Sequence, residues 1–265
     1  MLNAYAVKEN DMKKRSFVRA LWGIYEHEGR RYYKRRTKMD NDIKLLFKNP
    51  WNEPFVTFTF GEDNHKYLLD RGVDSRLVDK KPILWDMDTE QFRHKLEVFK
   101  LGLQEFDEIV FLDWDTLPVA PLPENFWKKM YEKDSFQSPL IMYRRRKAMW
   151  RGRTDSRKLS SASFVYLRDK SIPEGFVEQW ETMGKPWSEE LVMSKYIDQL
   201  DGGWKGMDYY WEHHEPHWFA LPRKYWSYTP DQYRNQKDRV FHHFDSRESA
   251  PLLKAEEIKW ARHLQ

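Results

Sequence analysis

The chain contains no cysteine among its 265 residues. This absence excludes a disulfide framework, a thiolate nucleophile and a cysteine metal site, so only carboxylates and imidazoles remain as metal-holding side chains. The sequence also lacks any apolar run approaching the roughly 18 to 20 residues that cross a bilayer, and no apolar signal-peptide core follows the charges near its N-terminus. Internal repeats and low-complexity tails are absent as well. We therefore expect a soluble, cytoplasmic protein.

Composition favours one enzyme-sized domain with an uneven charge distribution. Hydrophobic residues make up 40% of the chain, which is enough for one sizeable core at this length, so we expect a single domain over residues 1–265. The net charge is only +4, yet the basic residues concentrate in segments 29–54 and 140–158, which we interpret as surface insertions. The 13 Trp, 14 Tyr and 16 Phe suit a ligand cleft or the stacking of bases.

The order of apolar patterns predicts an α/β fold with a mixed, mainly parallel sheet flanked by helices. Buried strands are predicted at 4–7, 55–60, 109–115, 161–167, 218–222 and 239–244. Helices are predicted at 15–29, 63–69, 88–106 and 189–200, the last capped by Ser188.

Two carboxylates follow the apolar run 109–112. Asp113 and Asp115 flank Trp114, and on an extended strand both acids would lie on one side. Ligands bind beyond the carboxyl ends of strands in open α/β sheets, and a hard cation held there by oxygen ligands neutralises a diphosphate leaving group. The alternative interpretation is a solvated strand end without chemistry.

The stretch FRHKLEVFKLGLQEFDEIVFLDWDTLPV at 92–119 resembles the donor-binding segment of GT-A glycosyltransferases, the Rossmann-like group that includes glycogenin and related bacterial sugar transferases. The resemblance implies a nucleotide-sugar donor, with UDP as the family default, and a bound Mn²⁺ or Mg²⁺. It implies that Lys95 approaches the diphosphate or the sugar, that Asp115 binds the metal, and that Asp113 touches both metal and ribose. Trp114 belongs to the same donor-binding segment.

The same resemblance assigns further donor and metal contacts. In VFHHFDS at 240–246, His243 is the preferred third metal ligand and His242 the alternative, while two structural histidines are the non-catalytic interpretation. Arg247 would contact the diphosphate. The first strand would contact the nucleotide base through Ala4, Tyr5, Ala6 and Val7, and 161–167 would close the sugar pocket.

A general base is the next requirement, because an inverting transfer needs a carboxylate to deprotonate the acceptor hydroxyl. Glu189 and Glu190 resemble the acidic pair of inverting GT-A enzymes, although acids in a first helical turn are also ordinary complements of the helix dipole. Asp201 and Asp208 are weaker alternatives. Because the glycogenin resemblance points to retention instead, the stereochemistry stays open.

The basic segments are the candidates for binding the acceptor. MYRRRKAMWRGRTDSRK at 142–158 carries eight basic residues against one acid. Arg144, Arg145, Arg146 and Arg151 would hold phosphates while Trp150 wedges into a base stack, as modification of a base within double-stranded DNA requires. We hypothesise glycosylation of a hydroxymethylated base, in a bacterial or phage-infected host cytoplasm. The alternatives are a glycan or lipopolysaccharide acceptor, no partner for these loops, and a non-enzymatic nucleic-acid-binding module. No protein partner is predicted.

Overall fold

A computed structural model gives the fold of this chain. It describes residues 13–25, 34–35, 39–40, 43–44, 53–80, 89–114, 116–118, 122, 125–132, 140–144, 160–184, 186, 188–199, 226–227 and 241–243. Within these ranges, no helix has the length and apolar character needed to cross a membrane.

The structure gives the bounds of eleven strands and five α-helices. The strands are β1 (Arg15–Leu21), β2 (Ile24–Tyr25), β3 (Lys34–Arg35), β4 (Phe55–Phe60), β5 (Ser75–Val78), β6 (Glu108–Leu112), β7 (Thr116–Pro118), β8 (Leu140–Arg144), β9 (Ser160–Leu167), β10 (Trp226–Ser227) and β11 (Phe241–His243). The helices are α1 (Glu62–Leu69), α2 (Arg93–Glu105), α3 (Phe126–Glu132), α4 (Ser171–Met183) and α5 (Glu189–Gln199), and a 3₁₀ turn at Thr89–Phe92 precedes α2.

A mixed six-stranded sheet with the order β5-β4-β1-β6-β9-β8 forms the centre of the fold. β5, β4, β1 and β6 run parallel, whereas β9 is antiparallel to both β6 and β8. The sheet is therefore mainly parallel, and the carboxyl ends of four adjacent strands meet at one edge, which is where open α/β sheets bind ligands.

Helices cover both faces of this sheet. On one face Val18 and Phe111 pack with Phe99 of α2, in a core that also includes residues of α4 and α5. On the other face Phe17 and Val110 pack with side chains of α3. Alternate residues of β1 and β6 thus face opposite layers, as the pleat of a buried strand requires. The predicted α/β class with a mixed, mainly parallel sheet is confirmed.

Several predicted elements are confirmed individually. The strand at 55–60 is β4, the helix at 63–69 is α1, and the helical pattern at 88–106 forms the 3₁₀ turn and α2. The strand at 161–167 is β9, and the helix at 189–200 is α5, where Leu191 N donates to Ser188 Oγ at 3.3 Å. Ser188 therefore caps α5 as predicted.

The helix predicted at 15–29 is wrong, since this segment forms the central strand β1 and the short strand β2. Apolar residues at helical spacing suggested a helix, but residues 16–21 are all buried, between β4 and β6. A short run buried on both faces cannot be distinguished from a helix by periodicity alone.

The two insertions also differ from expectation. Residues 140–144 form β8, an edge strand of the main sheet, instead of a surface loop. In the 29–54 segment, Met39 and Ile43 are buried at 0% and 4% exposure. The described parts of both segments thus belong to the folded domain. The strands predicted at 4–7 and 218–222 lie outside the described residues.

Candidate active site

Asp113 begins a turn at the carboxyl end of β6 rather than continuing an extended strand. β6 ends at Leu112, and Thr116 N donates to the Asp113 carbonyl at 2.9 Å, which closes a turn over residues 113–116. The strand predicted at 109–115 therefore ends at Leu112, before the first acid, and the argument from strand alternation does not apply at Asp113. Asp115 itself lies outside the described residues. We call residues 113–116 the D-W-D turn.

The side chain of Trp114 anchors this turn in the protein interior. Its ring is 1% exposed and packs in a cluster with Leu21, Met39 and Ile43. The ring therefore offers no open surface to a donor, and any donor contact at this residue is left to its backbone. The buried ring also explains why an aromatic residue stands between the two acids.

Lys95 connects the D-W-D turn to the first residue of α5. Its Nζ lies 2.9 Å from Asp113 Oδ1 and 2.7 Å from Glu189 Oε1. The three side chains are 10%, 17% and 5% exposed, in the order Lys95, Asp113 and Glu189. Three residues that the sequence singled out for donor binding, metal binding and catalysis thus form one cluster, which we call the Lys95 cluster.

The protonation of the Lys95 cluster follows from its burial and its charges. Burial alone would lower the pKa of Lys95, but the carboxylates of Asp113 and Glu189 outweigh it and raise the pKa. Burial raises the pKa of Glu189 and nearby Glu190 adds to this, whereas Lys95 opposes it. Lys95 therefore stays protonated, and Glu189 is a carboxyl group predisposed to take up a proton.

Glu190 has a different environment from its neighbour. Its Oε1 accepts a hydrogen bond from the backbone N–H of Ala162 in β9 at 3.3 Å. This bond ties the start of α5 to the sheet strand that the sequence assigned to the sugar pocket. Of the two acids, Glu189 is the one that is joined to Asp113 through Lys95.

The strand that carries the two histidines lies beside the D-W-D turn. β11 pairs antiparallel with β7, with His243 opposite Thr116 and His242 opposite Leu117. Directly opposed residues of an antiparallel pair have Cα atoms about 5 Å apart. The backbone of His243 is thus next to the last residue of the turn, while the side chains of both histidines lie outside the described residues.

A metal site at this position stays a prediction. Among the side chains that the structure describes, no three from His, Asp and Glu are grouped so as to hold a cation. Asp115 and the side chain of His243, two of the three predicted ligands, are not in that described set.

Sequence reasoning missed an aromatic site at the carboxyl end of β1. Trp22 Nε1 donates to Gln91 Oε1 at 3.2 Å, and its ring centroid lies 5.6 Å from that of His94. The His94 ring in turn lies 3.9 Å from Phe60. Burial, together with the positive charges of Lys80 and Arg93, lowers the pKa of His94 to about 4, so the ring is neutral. A tryptophan followed by Gly23 directly after a buried strand was the available signal.

Arg19 is a second residue that sequence reasoning missed. It lies in the centre of β1, it is 1% exposed, and its Nη2 donates to the Thr116 carbonyl at 3.0 Å. The available signal was one arginine inside the apolar run SFVRAL.

The remaining predicted contacts cannot be placed. Arg144 is the last residue of β8, opposite Ser160, and nothing is described of its side chain. The other assignments lie outside the described residues, namely Ala4, Tyr5, Ala6, Val7, Arg145, Arg146, Trp150, Arg151 and Arg247.

Fold and site together define an α/β protein with a buried lysine–carboxylate cluster at the carboxyl edge of a mainly parallel sheet. No protein family model and no curated protein matches the sequence. The chain is similar in structure to a glycosyltransferase involved in the glycosylation of the major capsid of PBCV-1, with 11% identity, 92% of this chain and 99% of that chain covered, and a TM-score of 0.44. It is also similar to the glycosyltransferase GlyE of Streptococcus pneumoniae TIGR4, with 14% identity, 94% of this chain covered and a TM-score of 0.46. It spans 62% of the length of the GlyE chain.

Proposed function

We propose that this chain is a metal-dependent glycosyltransferase of the GT-A type that transfers a sugar from a nucleotide sugar to an acceptor hydroxyl. The observation that carries the proposal is the Lys95 cluster, since it joins a D-x-D acid to a helix-borne carboxyl group at the ligand-binding edge of the sheet. A solvated strand end would not bury these charges against one another.

The cluster suits a substrate that carries phosphate. Lys95 lies in the first turn of α2 and Glu189 is the first residue of α5, so the amino-terminal ends of both helices lie beside Asp113. Backbone N–H groups and the helix dipole at these ends attract anions, and the protonated Lys95 offsets part of the negative charge of Asp113 and Glu189. This arrangement supports binding of the donor's diphosphate, with UDP as the proposed nucleotide.

The predicted donor set fits Mn²⁺ or Mg²⁺. Asp113 and Asp115 supply hard oxygen ligands, and an imidazole from the β11 strand beside the turn would favour Mn²⁺. A bound cation would supply Lewis-acid neutralisation of the charge that develops on the leaving diphosphate. His243 is the proposed third ligand because its backbone lies opposite Thr116.

The residues of the chain have separate roles in the proposed reaction. Lys95 holds the carboxylates of Asp113 and Glu189 in fixed positions, which reduces the reorganisation needed when the donor binds. Glu189 takes the proton of the acceptor hydroxyl as that oxygen attacks the anomeric carbon. Trp22, held by Gln91, provides an aromatic face for the nucleotide base at the end of β1. The anomeric configuration of the product, measured by NMR, decides between inversion and retention.

For the acceptor we propose a hydroxymethylated base in double-stranded DNA. The support is the basic and aromatic sequence that follows β8, since this strand pairs with β9 and β9 in turn contacts α5 through Glu190. A glycan acceptor has the same donor chemistry and is tested by the same product assay. The two differ in whether a labelled duplex or an oligosaccharide gains mass.

The test is donor hydrolysis, which glycosyltransferases commonly catalyse slowly without an acceptor. The purified chain is incubated with Mn²⁺ and a panel of nucleotide sugars, and release of the nucleotide is measured with and without a chelator. We expect metal-dependent release from at least one donor, and loss of that release in Asp115→Ala.

Asp107→Ala is the matched control, because Asp107 directly precedes the opposite end of β6 and accepts a hydrogen bond from Lys14 N at 2.9 Å. It should retain the activity. Absence of release with every donor, together with tight binding of duplex DNA, would instead identify a nucleic-acid-binding module without transferase activity.

A further inference from the structure

Arg19 is an almost fully buried arginine in the central strand of the sheet, with 1% of its surface exposed. Removing a charged group from water costs several kcal/mol per ion unless its surroundings compensate. Phe17 lies two residues earlier on the same face of β1 and packs in an apolar cluster at no such cost. The guanidinium is therefore expected to make contacts that an apolar side chain at this position could not make.

The contacts of Arg19 converge on the D-W-D turn. Its Nη2 donates to the carbonyl oxygen of Thr116 at 3.0 Å, and its Cζ lies 5.0 Å from the ring centroid of Trp114. On another side, Cζ lies 5.5 Å from the ring centroid of Phe55 in the neighbouring strand. Arg19 thus links two strands of the sheet to both the second and the fourth residue of the turn.

Thr116 is the residue at which three parts of the site meet. Its N–H closes the turn on Asp113, its carbonyl accepts the bond from Arg19, and it lies opposite His243 in the β7–β11 pair. The residue is fully buried. A shift of Thr116 would therefore move the aspartates relative to the strand that carries the histidine.

We propose that Arg19 is a positioning residue of the metal and donor site, an inference that rests on the proposed function. Its guanidinium fixes the D-W-D turn by donating to the Thr116 carbonyl while its Cζ lies over the ring of Trp114. An arginine can donate from its edge and stack with its face at the same time, whereas the ammonium of a lysine cannot. Supporting groups of this kind hold metal ligands in place, and their loss typically costs 10- to 100-fold in metal affinity.

The experiment compares Arg19→Lys and Arg19→Met with the wild type in two measurements. Mn²⁺ affinity is measured on the protein alone, by the EPR signal of the free ion, and donor hydrolysis gives kcat and KM. We expect both variants to bind Mn²⁺ about tenfold or more weakly. The KM for the nucleotide sugar should rise in both variants as Mn²⁺ binding weakens. Arg19→Lys should restore neither the Mn²⁺ affinity nor the KM, even though lysine keeps the positive charge.

Arg15→Met is the matched control, because Arg15 begins the same strand but lies 3.7 Å from Glu108 and over Trp127, away from the turn. It should change the melting temperature without changing Mn²⁺ affinity. If Arg19→Met does not fold, Arg19→Lys and Trp114→Leu carry the test, since the latter removes the ring over which the Arg19 guanidinium lies. Their effects on affinity should be less than additive when combined.

The outcomes separate this inference from the proposed function. If the wild type binds Mn²⁺ but folded Arg19→Lys and Trp114→Leu bind it equally well, the positioning role is overturned and the transferase proposal stands. If the wild type binds no Mn²⁺, the metal-dependent function is overturned, and the role of Arg19 with it.

Discussion

At the scale of single residues, Lys95 determines how the candidate site is charged. One buried ammonium is shared by Asp113 and Glu189, which come from different elements, so each acid depends on the same cation. Removing one partner of a buried pair leaves the other charge uncompensated and is strongly destabilising. The functions of the two acids are therefore best tested by changes that keep Lys95 in place.

The acids Glu189 and Glu190 are predicted to differ in their contribution to catalysis. Glu189→Gln keeps the shape of the side chain but removes the group that accepts the proton. We expect the rate of sugar transfer to fall by about 100-fold or more. Glu190→Gln should cost less than about tenfold, because its carboxylate oxygen accepts a backbone hydrogen bond that the amide oxygen can keep. Single-turnover rates with saturating donor measure the effect, and equal losses in both variants would contradict the assignment.

His94 predicts a specific dependence of stability on pH. Its pKa in the folded protein is about 4, below the unfolded value of 6.5, so the folded state prefers the neutral ring. The associated stability is fully present above pH 6.5 and is lost as the pH falls towards 4. The loss amounts to roughly 3 kcal/mol, at about 1.4 kcal/mol for each pH unit between the two values.

The measurement is the free energy of unfolding in urea at several pH values, for the wild type and for His94→Phe. Phenylalanine keeps a ring against Phe60 and Trp22 but cannot titrate. The difference between the two proteins isolates the histidine, because the carboxylates titrate in both. If the free energies of unfolding of the wild type and His94→Phe change in parallel between pH 6.5 and 4, His94 is not held neutral by burial.

At the scale of secondary-structure elements, the packing of α4 against α5 positions Glu189. A Cβ added at Gly175 of α4 would overlap the ring of Tyr196 in α5. The Tyr196 ring itself packs edge-on against Phe176, with ring centroids 5.3 Å apart. A shift of the Tyr196 ring to admit the added Cβ would therefore disturb its contact with Phe176.

Gly175→Ala is accordingly predicted to destabilise the fold by roughly 2 kcal/mol, although alanine is the better helix former. The prediction is checked by urea unfolding in a double-mutant cycle with Tyr196→Leu. The alanine should cost at least about 1 kcal/mol less in the leucine background, because the shorter side chain relieves the overlap. If the effects of Gly175→Ala and Tyr196→Leu on the free energy of unfolding simply add, the predicted overlap between the two positions is contradicted.

Elements also differ in how well the sequence predicts them. α2 and β6 could be predicted because an amphipathic period and a four-residue apolar run are local patterns. The local pattern of β1 predicts a helix because its apolar residues match both periods. Its pairing with β4 and β6 makes it a strand. The end of β6 at Leu112, one residue before the first acid, is likewise set by the turn bond between Thr116 and Asp113.

At the scale of the whole molecule, the uneven charge of the chain predicts salt-dependent binding to duplex DNA. The net charge is only +4, so binding should depend on the basic segments and not on the overall charge. Affinity for a labelled duplex should fall linearly with salt on a double-logarithmic plot. Replacing Arg144, Arg145 and Arg146 together with alanine should reduce the slope by about 2 to 3.

Replacing Lys66, Arg71 and Arg76 with alanine removes the same charge from other parts of the molecule and is the control. This triple variant should leave the slope unchanged. If the affinity of the wild type for duplex DNA does not depend on salt concentration, the polyanion hypothesis is excluded and a glycan is left as the acceptor.

By itself, the sequence determined the α/β class, the helix that carries Lys95 and the position of the D-x-D acids, because each depends on patterns within one element. Only the tertiary structure decided that Lys95 meets both Asp113 and Glu189, that Asp113 begins a turn, and that Arg19 donates to Thr116 from a neighbouring strand. These contacts join residues far apart in the chain. They follow from strand order, register and helix packing, which no local periodicity specifies.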